Sequence, residues 1–210
     1  MGTLALTILA SLFSVVNPLG AIPMFLALSS DYEKEEHNHA SLMTSIYFTI
    51  ILIVFFWAGT LILGFFGVSI YALRIAGGIV IMMSGFALLS GNMAKRRVGP
   101  KAKKAAMEKE DISFTPMAMP MLSGPGSISL LIGYFTEYST LPNRLMITGV
   151  VVIMGLIVFL VLRFSPLLFK LMGVGGLRAL ARIMGFIVLS IGVQYVITGI
   201  VQQVSNLTAG

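Results

Sequence analysis

Polar positions along this chain fall in a few short stretches, separated by apolar runs too long for a soluble core. No charged residue occurs from Met1 to Ser30, and none between Glu36 and Arg74. Such gaps exceed the ~20 apolar residues needed to cross a hydrocarbon core about 30 Å thick. The pattern predicts six helices, over 3–29, 41–66, 71–91, 115–137, 145–169 and 178–204. Between them lie a polar segment (30–40), a basic segment (92–114), a turn carrying Pro142 and Asn143 (138–144), and a glycine-rich turn (173–177). The first run has no basic flank and is too long for a signal-peptide core, so it reads as a mature helix.

Two of the runs are interrupted. The first break is Asn17-Pro18-Leu19-Gly20-Ala21-Ile22-Pro23; the second is Pro120-Met121-Leu122-Ser123-Gly124-Pro125-Gly126-Ser127. Proline lacks an N–H and clashes with a carbonyl one turn earlier, while glycine loosens the backbone. An isolated break would read as a simple kink, which membrane helices tolerate. Here Pro18 and Pro125 stand 107 residues apart, about half the chain. Paired interruptions in two halves point to unwound segments whose carbonyls could meet a cation or an amine, and whose helix N-termini could face a carboxylate.

The third helix of each half repeats as well. Arg74-Ile75-Ala76-Gly77-Gly78-Ile79-Val80 matches Arg182-Ile183-Met184-Gly185-Phe186-Ile187-Val188 at a spacing of 108 residues. Three spans per half is an odd number, so the second half must enter the membrane the other way up. The expected fold class is therefore an all-α membrane protein. Its six transmembrane helices form two inverted-topology three-helix repeats, with the first and fourth helices discontinuous. The expected organisation is a first repeat over 1–91, a basic cytoplasmic linker over 92–114, and a second repeat over 115–210.

Composition agrees with this pattern: 57% of residues are hydrophobic and only 10% are charged. The net charge of +6 is unevenly distributed. Two of the fourteen Lys and Arg, Arg74 and Arg144, fall on the side of the termini; the other twelve fall on the opposite side. The positive-inside tendency then puts both termini outside and the 92–114 segment in the cytoplasm of a cell (inner) membrane. The basic residues thus serve topology and contact with the lipid bilayer, and imply no nucleic acid. With no cysteine, disulfides and thiolate chemistry are excluded.

The candidate substrate-binding residues are Asn17, Pro18, Leu19 and Gly20 at the first break, and Ser123, Gly124, Pro125, Gly126 and Ser127 at the second. Gln194 joins them as a long amide well inside the sixth span, where such a group finds a partner helix or lines a cavity. The small residues Gly77, Gly78, Gly85, Gly185, Gly192 and Gly199 read as close helix packing. No Asp, Glu or Lys lies near the middle of a span, so no carboxylate proton relay is evident, and backbone dipoles suit a small solute of zero net charge. No histidine, lysine or carboxylate sits at membrane depth to activate a serine, which argues against an enzyme. His37 and His39, with Glu33, Glu35 and Glu36, read as a solvated loop; no metal and no cofactor is implied.

These residues resemble the MarC family of six-span membrane proteins, which includes the SnatA-type neutral amino-acid transporters. The resemblance rests on Asn17-Pro18-Leu19, on Leu73-Arg74-Ile75-Ala76-Gly77-Gly78, and on Ala118-Met119-Pro120 followed by Gly124-Pro125-Gly126. It rests also on Arg182-Ile183-Met184-Gly185-Phe186 and on Gly192-Val193-Gln194. It implies a secondary transporter of glycine- or alanine-like amino acids with broken first and fourth helices. A channel, an exporter of another small polar solute and a non-transporting scaffold are the alternatives. A coupling ion, H+ or Na+, and the oligomeric state stay open. The family pattern often has Asp where Asn17 stands; Asn17 cannot ionise, which leaves no carboxylate there for a proton or cation.

Overall fold

The computed structural model describes residues 2–90 and 111–208. Most of the basic 92–114 segment lies outside these residues. The described chain is all helical: α1 (Gly2–Val16), α2 (Pro18–Leu28), α3 (Lys34–Phe65), α4 (Ile70–Leu89), a short irregular helix (Ser113–Leu122), α5 (Pro125–Glu137), α6 (Leu141–Arg163) and α7 (Ser165–Thr208). Five helical stretches, counting Gly2–Leu28 as one, are long and apolar enough to cross a membrane. The remaining expected span, 115–137, is built from two short helices, Ser113–Leu122 and α5, neither of which reaches the ~20 residues of a full crossing.

Two boundaries differ from the sequence reading for clear physical reasons. α3 begins at Lys34 and takes in most of the polar 30–40 segment, because the Glu33 N–H donates to Glu36 Oε2 at 2.9 Å and Glu35 and Glu36 sit at the positive end of the helix. The fifth helix stops at Arg163 rather than near 169; residues 165–172 form the first turns of α7, which bends at Gly173 (φ 62°). Only a residue without a Cβ adopts that φ readily, so the glycine-rich turn is realised as a kink within α7. At the edge of the basic segment, Ile112 and Ser113 are buried.

α4 and α7 are the most extensively packed pair. A Cβ on Gly78 would meet Gly192 O at 2.8 Å and Val196 N at 2.9 Å; one on Gly85 would meet Gly185 O at 2.9 Å. Small residues let the two backbones touch, which is how helices associate where lipid removes the hydrophobic driving force. α3 packs on α5, α6 and the Ser113–Leu122 helix, and α1 and α2 lie against α6 and α7. Phe25, Phe48, Phe56, Leu12, Ile81 and Met117 fill the interior. Leu61, Phe65, Leu156, Phe186 and Val201 are exposed, as expected of a chain whose outer surface meets acyl chains.

Candidate functional site

The first break is a single residue wide. Asn17 is fully buried and left-handed (φ 49°, ψ 65°), a conformation that Asn tolerates better than most side chains. Its N–H still donates to Phe13 O at 2.8 Å, closing α1. Its Oδ1 accepts from the Gly20 N–H at 3.2 Å, capping α2, and Pro18 occupies the first helical position, where a missing N–H costs nothing. The amide lies so close over Gly20 that a Cβ there would stand 2.5 Å from Asn17 Nδ2. That Nδ2 is buried without a hydrogen-bond partner.

The second break is longer. Thr115 and Met119 are extended, and Met117 N and Ser123 N reach back five residues, to Ile112 O at 3.3 Å and Ala118 O at 2.8 Å. Pro116 and Pro120 remove two donors, so regular α-helix cannot form there. Gly124 caps α5, and Pro125 again takes the first helical position. Ser127 Oγ donates to Gly124 O at 2.9 Å. Ser123 Oγ is buried and unpartnered.

The two breaks face neighbouring cavities. One, of about 170 Å³, is lined by Val15, Val80, Ser84, Pro120, Leu122 and the Gly124–Ser127 turn. The other, of about 230 Å³, is lined by Leu19, Gly20, Pro23, Leu88 and the α7 residues Val174, Leu177 and Arg178. Met121 lines both. A Cβ on Gly126 would stand 3.5 Å from Val15 Cγ1, so the start of α5 lies against the end of α1. Pro18 is buried beside Asn17, whereas Pro125 is exposed. The structure does not bring Gln194 here: it is exposed, and its Nε2 donates to Thr198 Oγ1 at 3.3 Å on its own helix.

Sequence reasoning missed a buried cation. Arg74, counted only as an outside charge, has a side chain 4% exposed on α4. Its Nη1 donates to Gln202 Oε1 on α7 at 2.6 Å; its Nη2 donates to Gly133 O at 3.4 Å and pairs with Glu137 Oε2 at 3.3 Å on α5. The Tyr195 ring lies 5.9 Å from the guanidinium, and its hydroxyl donates to Ser129 O and Leu130 O at 3.1 and 3.2 Å. Arg144, the other arginine that the charge pattern assigned to the side of the termini, stacks on Phe135 at 3.7 Å and donates to Phe135 O. Both arginines thus hold carbonyls in the last turns of α5, the negative end of that helix. Burial, and secondarily the neighbouring Glu137 carboxylate, push the Tyr138 phenol above its ordinary range. The available signal was the position of Arg74 four residues inside an apolar helix, a placement rarely left unpaired.

His37 lies on α3, half-buried, 5.0 Å from the Phe25 ring and 3.4 Å from Ser165 Oγ. Among the described residues no group of three His, Cys, Asp or Glu could hold a metal.

Long apolar helices, apolar outer faces and backbone breaks that line internal cavities define a multi-pass, all-helical membrane protein. Comparison with known proteins makes the assignment specific. The MarC family, described as "MarC family integral membrane protein", matches residues 3–204, and the chain belongs to that family. It is 36% identical over 212 residues to the "UPF0056 inner membrane protein MarC" of Citrobacter koseri, covering 94% of each chain. It is also 36% identical over 209 residues to the proteins of that name from Escherichia coli and Shigella flexneri, again over 94% of each. No solved structure matches the chain.

Proposed function

We propose that this protein is a secondary transporter of small neutral amino acids, glycine- or alanine-like, that works by alternating access in the inner membrane. The observation that carries the reading is the pair of proline-started half-helices, α2 and α5, whose breaks bury two unpartnered polar atoms, Asn17 Nδ2 and Ser123 Oγ. A buried polar atom left unpaired costs about 1–3 kcal/mol. A substrate carboxylate accepting from both would offset that cost, with the half-helix N-termini adding favourable dipoles. The binding residues are Asn17, Pro18, Leu19 and Gly20 on one side and Ser123, Gly124, Pro125, Gly126 and Ser127 on the other. Freed carbonyls such as those of the irregular Ser113–Leu122 helix take the ammonium or, where the coupling ion is Na+, that cation. No step of this reading breaks a covalent bond, so the protein is not an enzyme.

Two inverted repeats, 1–91 and 115–210, joined by a cytoplasmic 92–114 linker, give the rocking halves. The helix contacts support this. The Cβ position of Gly78 meets Gly192 O and Val196 N, and that of Gly185 meets Gly85 O and Leu89 N. Likewise Gly85 meets Gly185 O and Leu189 N, while Gly192 meets Gly78 O and Met82 N. Moving each residue by 107 positions turns one set into the other, as a two-fold axis between α4 and α7 would. The same 107 separates Pro18 from Pro125. The third-helix similarity at 108 residues is one position out of this register, which on an α-helix is a rotation of about 100°.

Purified protein in proteoliposomes should exchange labelled glycine or alanine, saturably and with counterflow. Counterflow without net leak separates a carrier from a channel. Failure to exchange any small neutral amino acid under any imposed gradient overturns the proposal.

A further inference from the structure

We propose that the Arg74–Glu137–Gln202 cluster, with Tyr195, is the gate that closes the end of the pathway next to residues 66–69 and 138–140, and that it opens by releasing α5 from α4 and α7. This rests on the alternating-access reading above.

Two seams meet at this end, and they differ in kind. α4 and α7 touch backbone to backbone through Gly78, Gly85, Gly185 and Gly192, with the Val196, Leu88 and Met82 side chains packed at the same points. α5 is held to that pair by polar bonds as well as by packing around the buried Tyr195 ring. Ser129 Oγ donates to Leu73 O at 3.1 Å, and Tyr195 OH donates to two α5 carbonyls. Arg74 Nη2 reaches Gly133 O and Glu137 at 3.4 and 3.3 Å. These are long bonds that can be exchanged for water, whereas the 2.6 Å bond from Arg74 to Gln202 stays within the α4–α7 pair. Opening therefore strands no charge in lipid: Arg74 keeps Gln202 and gains water from the depression of about 430 Å³ that already lies above it.

The cluster sits between that depression and the cavity at the second break. Ser127 lines the inner cavity and Glu137 the outer depression, ten residues apart on one helix, or about 15 Å. Among the described residues, no ion pair clamps the opposite end. The residues 107 positions from Arg74, Gly133, Glu137 and Tyr195 are Ala181, Leu26, Ser30 and Leu88, none of them charged, while the counterpart of Gln202 is Lys95, outside the described residues. At that end cavities of about 230 and 600 Å³ open beside the first break and beside Arg163. Among the described residues, the structure is thus shut where the arginine holds α5 and open where no ion pair is found.

The chain has no cysteine, so single-cysteine accessibility reads this directly. Ser84→Cys places a thiol in the inner cavity, and Ser139→Cys in a separate sample marks the gated side. With the cluster intact, a membrane-impermeant thiol reagent applied from the Ser139 side should label Ser84→Cys slowly. Adding Glu137→Gln, Arg74→Lys or Tyr195→Phe should raise that rate about tenfold, with labelling from the other side falling. Glu137 is half exposed, so Glu137→Gln tests the gate even where Arg74→Lys fails to fold. Folded variants, monodisperse in detergent, that label at the parent rate overturn the gate, as does fast labelling of the parent from the Ser139 side. The readout needs no solute, so a failed amino-acid exchange assay would sink the substrate reading and leave this result standing.

Discussion

At the first break the capping residue, Asn17, carries the side chain, and the third helical position, Gly20, has none; at the second the cap, Gly124, has none and the third position, Ser127, carries a hydroxyl. The hydrogen bond between these positions also runs in opposite directions. Gly20 N–H donates to Asn17 Oδ1, whereas Ser127 Oγ donates to Gly124 O. Both arrangements tie the first turn of a proline-started half-helix to its cap. They leave different groups over, however. The first break keeps an amide donor free beside a glycine it nearly touches; the second keeps its free hydroxyl one residue earlier, on Ser123. Two breaks that use the same backbone device thus need not present the same chemistry.

Substitutions test that contrast position by position. Gly20→Val drives a branched side chain into the Asn17 amide and should cost the most, about 3 kcal/mol of stability, read as a lower midpoint of thermal unfolding followed by the single tryptophan, Trp57. Asn17→Ala loses the cap and keeps an unfavourable left-handed φ, for about 2 kcal/mol; Asn17→Gly relieves the φ and should cost only a few tenths. Asn17→Gly therefore separates folding from binding: it should leave the unfolding midpoint near that of the parent while abolishing glycine exchange, and parental exchange in this variant would remove Asn17 from the site. Ser127→Ala gives up one hydrogen bond, worth about 1 kcal/mol, with exchange weakened rather than lost. Gly124→Ala should change least, within about 0.5 kcal/mol, since its φ of −75° suits any residue and the new methyl meets only Pro120 O at 3.2 Å. A loss at Gly124 as large as that at Gly20 would mean that the second break is as tightly closed as the first, contrary to the cavity at its side.

The breaks were legible because proline and glycine act on their own backbone. Pro18 and Pro125 each start a helix wherever the chain is placed, and Gly173 bends α7 for the same local reason. The early start of α3 had a local signal too, in the acidic turn at Glu33–Glu36, which a reading by hydropathy alone passes over. Gln194 shows the limit of that reading. A polar residue in an apolar run suggests an inward position, yet a partner one turn away, Thr198, lets it sit on the exposed face.

The sequence by itself determined the membrane character, the apolar spans and the places where helices must break, because each follows from local backbone sterics or from the cost of unpaired peptide groups in lipid. Only the tertiary structure decided that Arg74 is buried, since its partners lie 59 to 128 residues away on other helices. It also decided which glycines of α4 and α7 meet. Apolar residues resemble one another closely enough to align at 108 positions, but the glycine contacts of α4 and α7 come together at 107. Sequence similarity tolerates a slip of one residue. Two helix backbones in contact do not, because that slip turns each glycine away from the carbonyl it must let through.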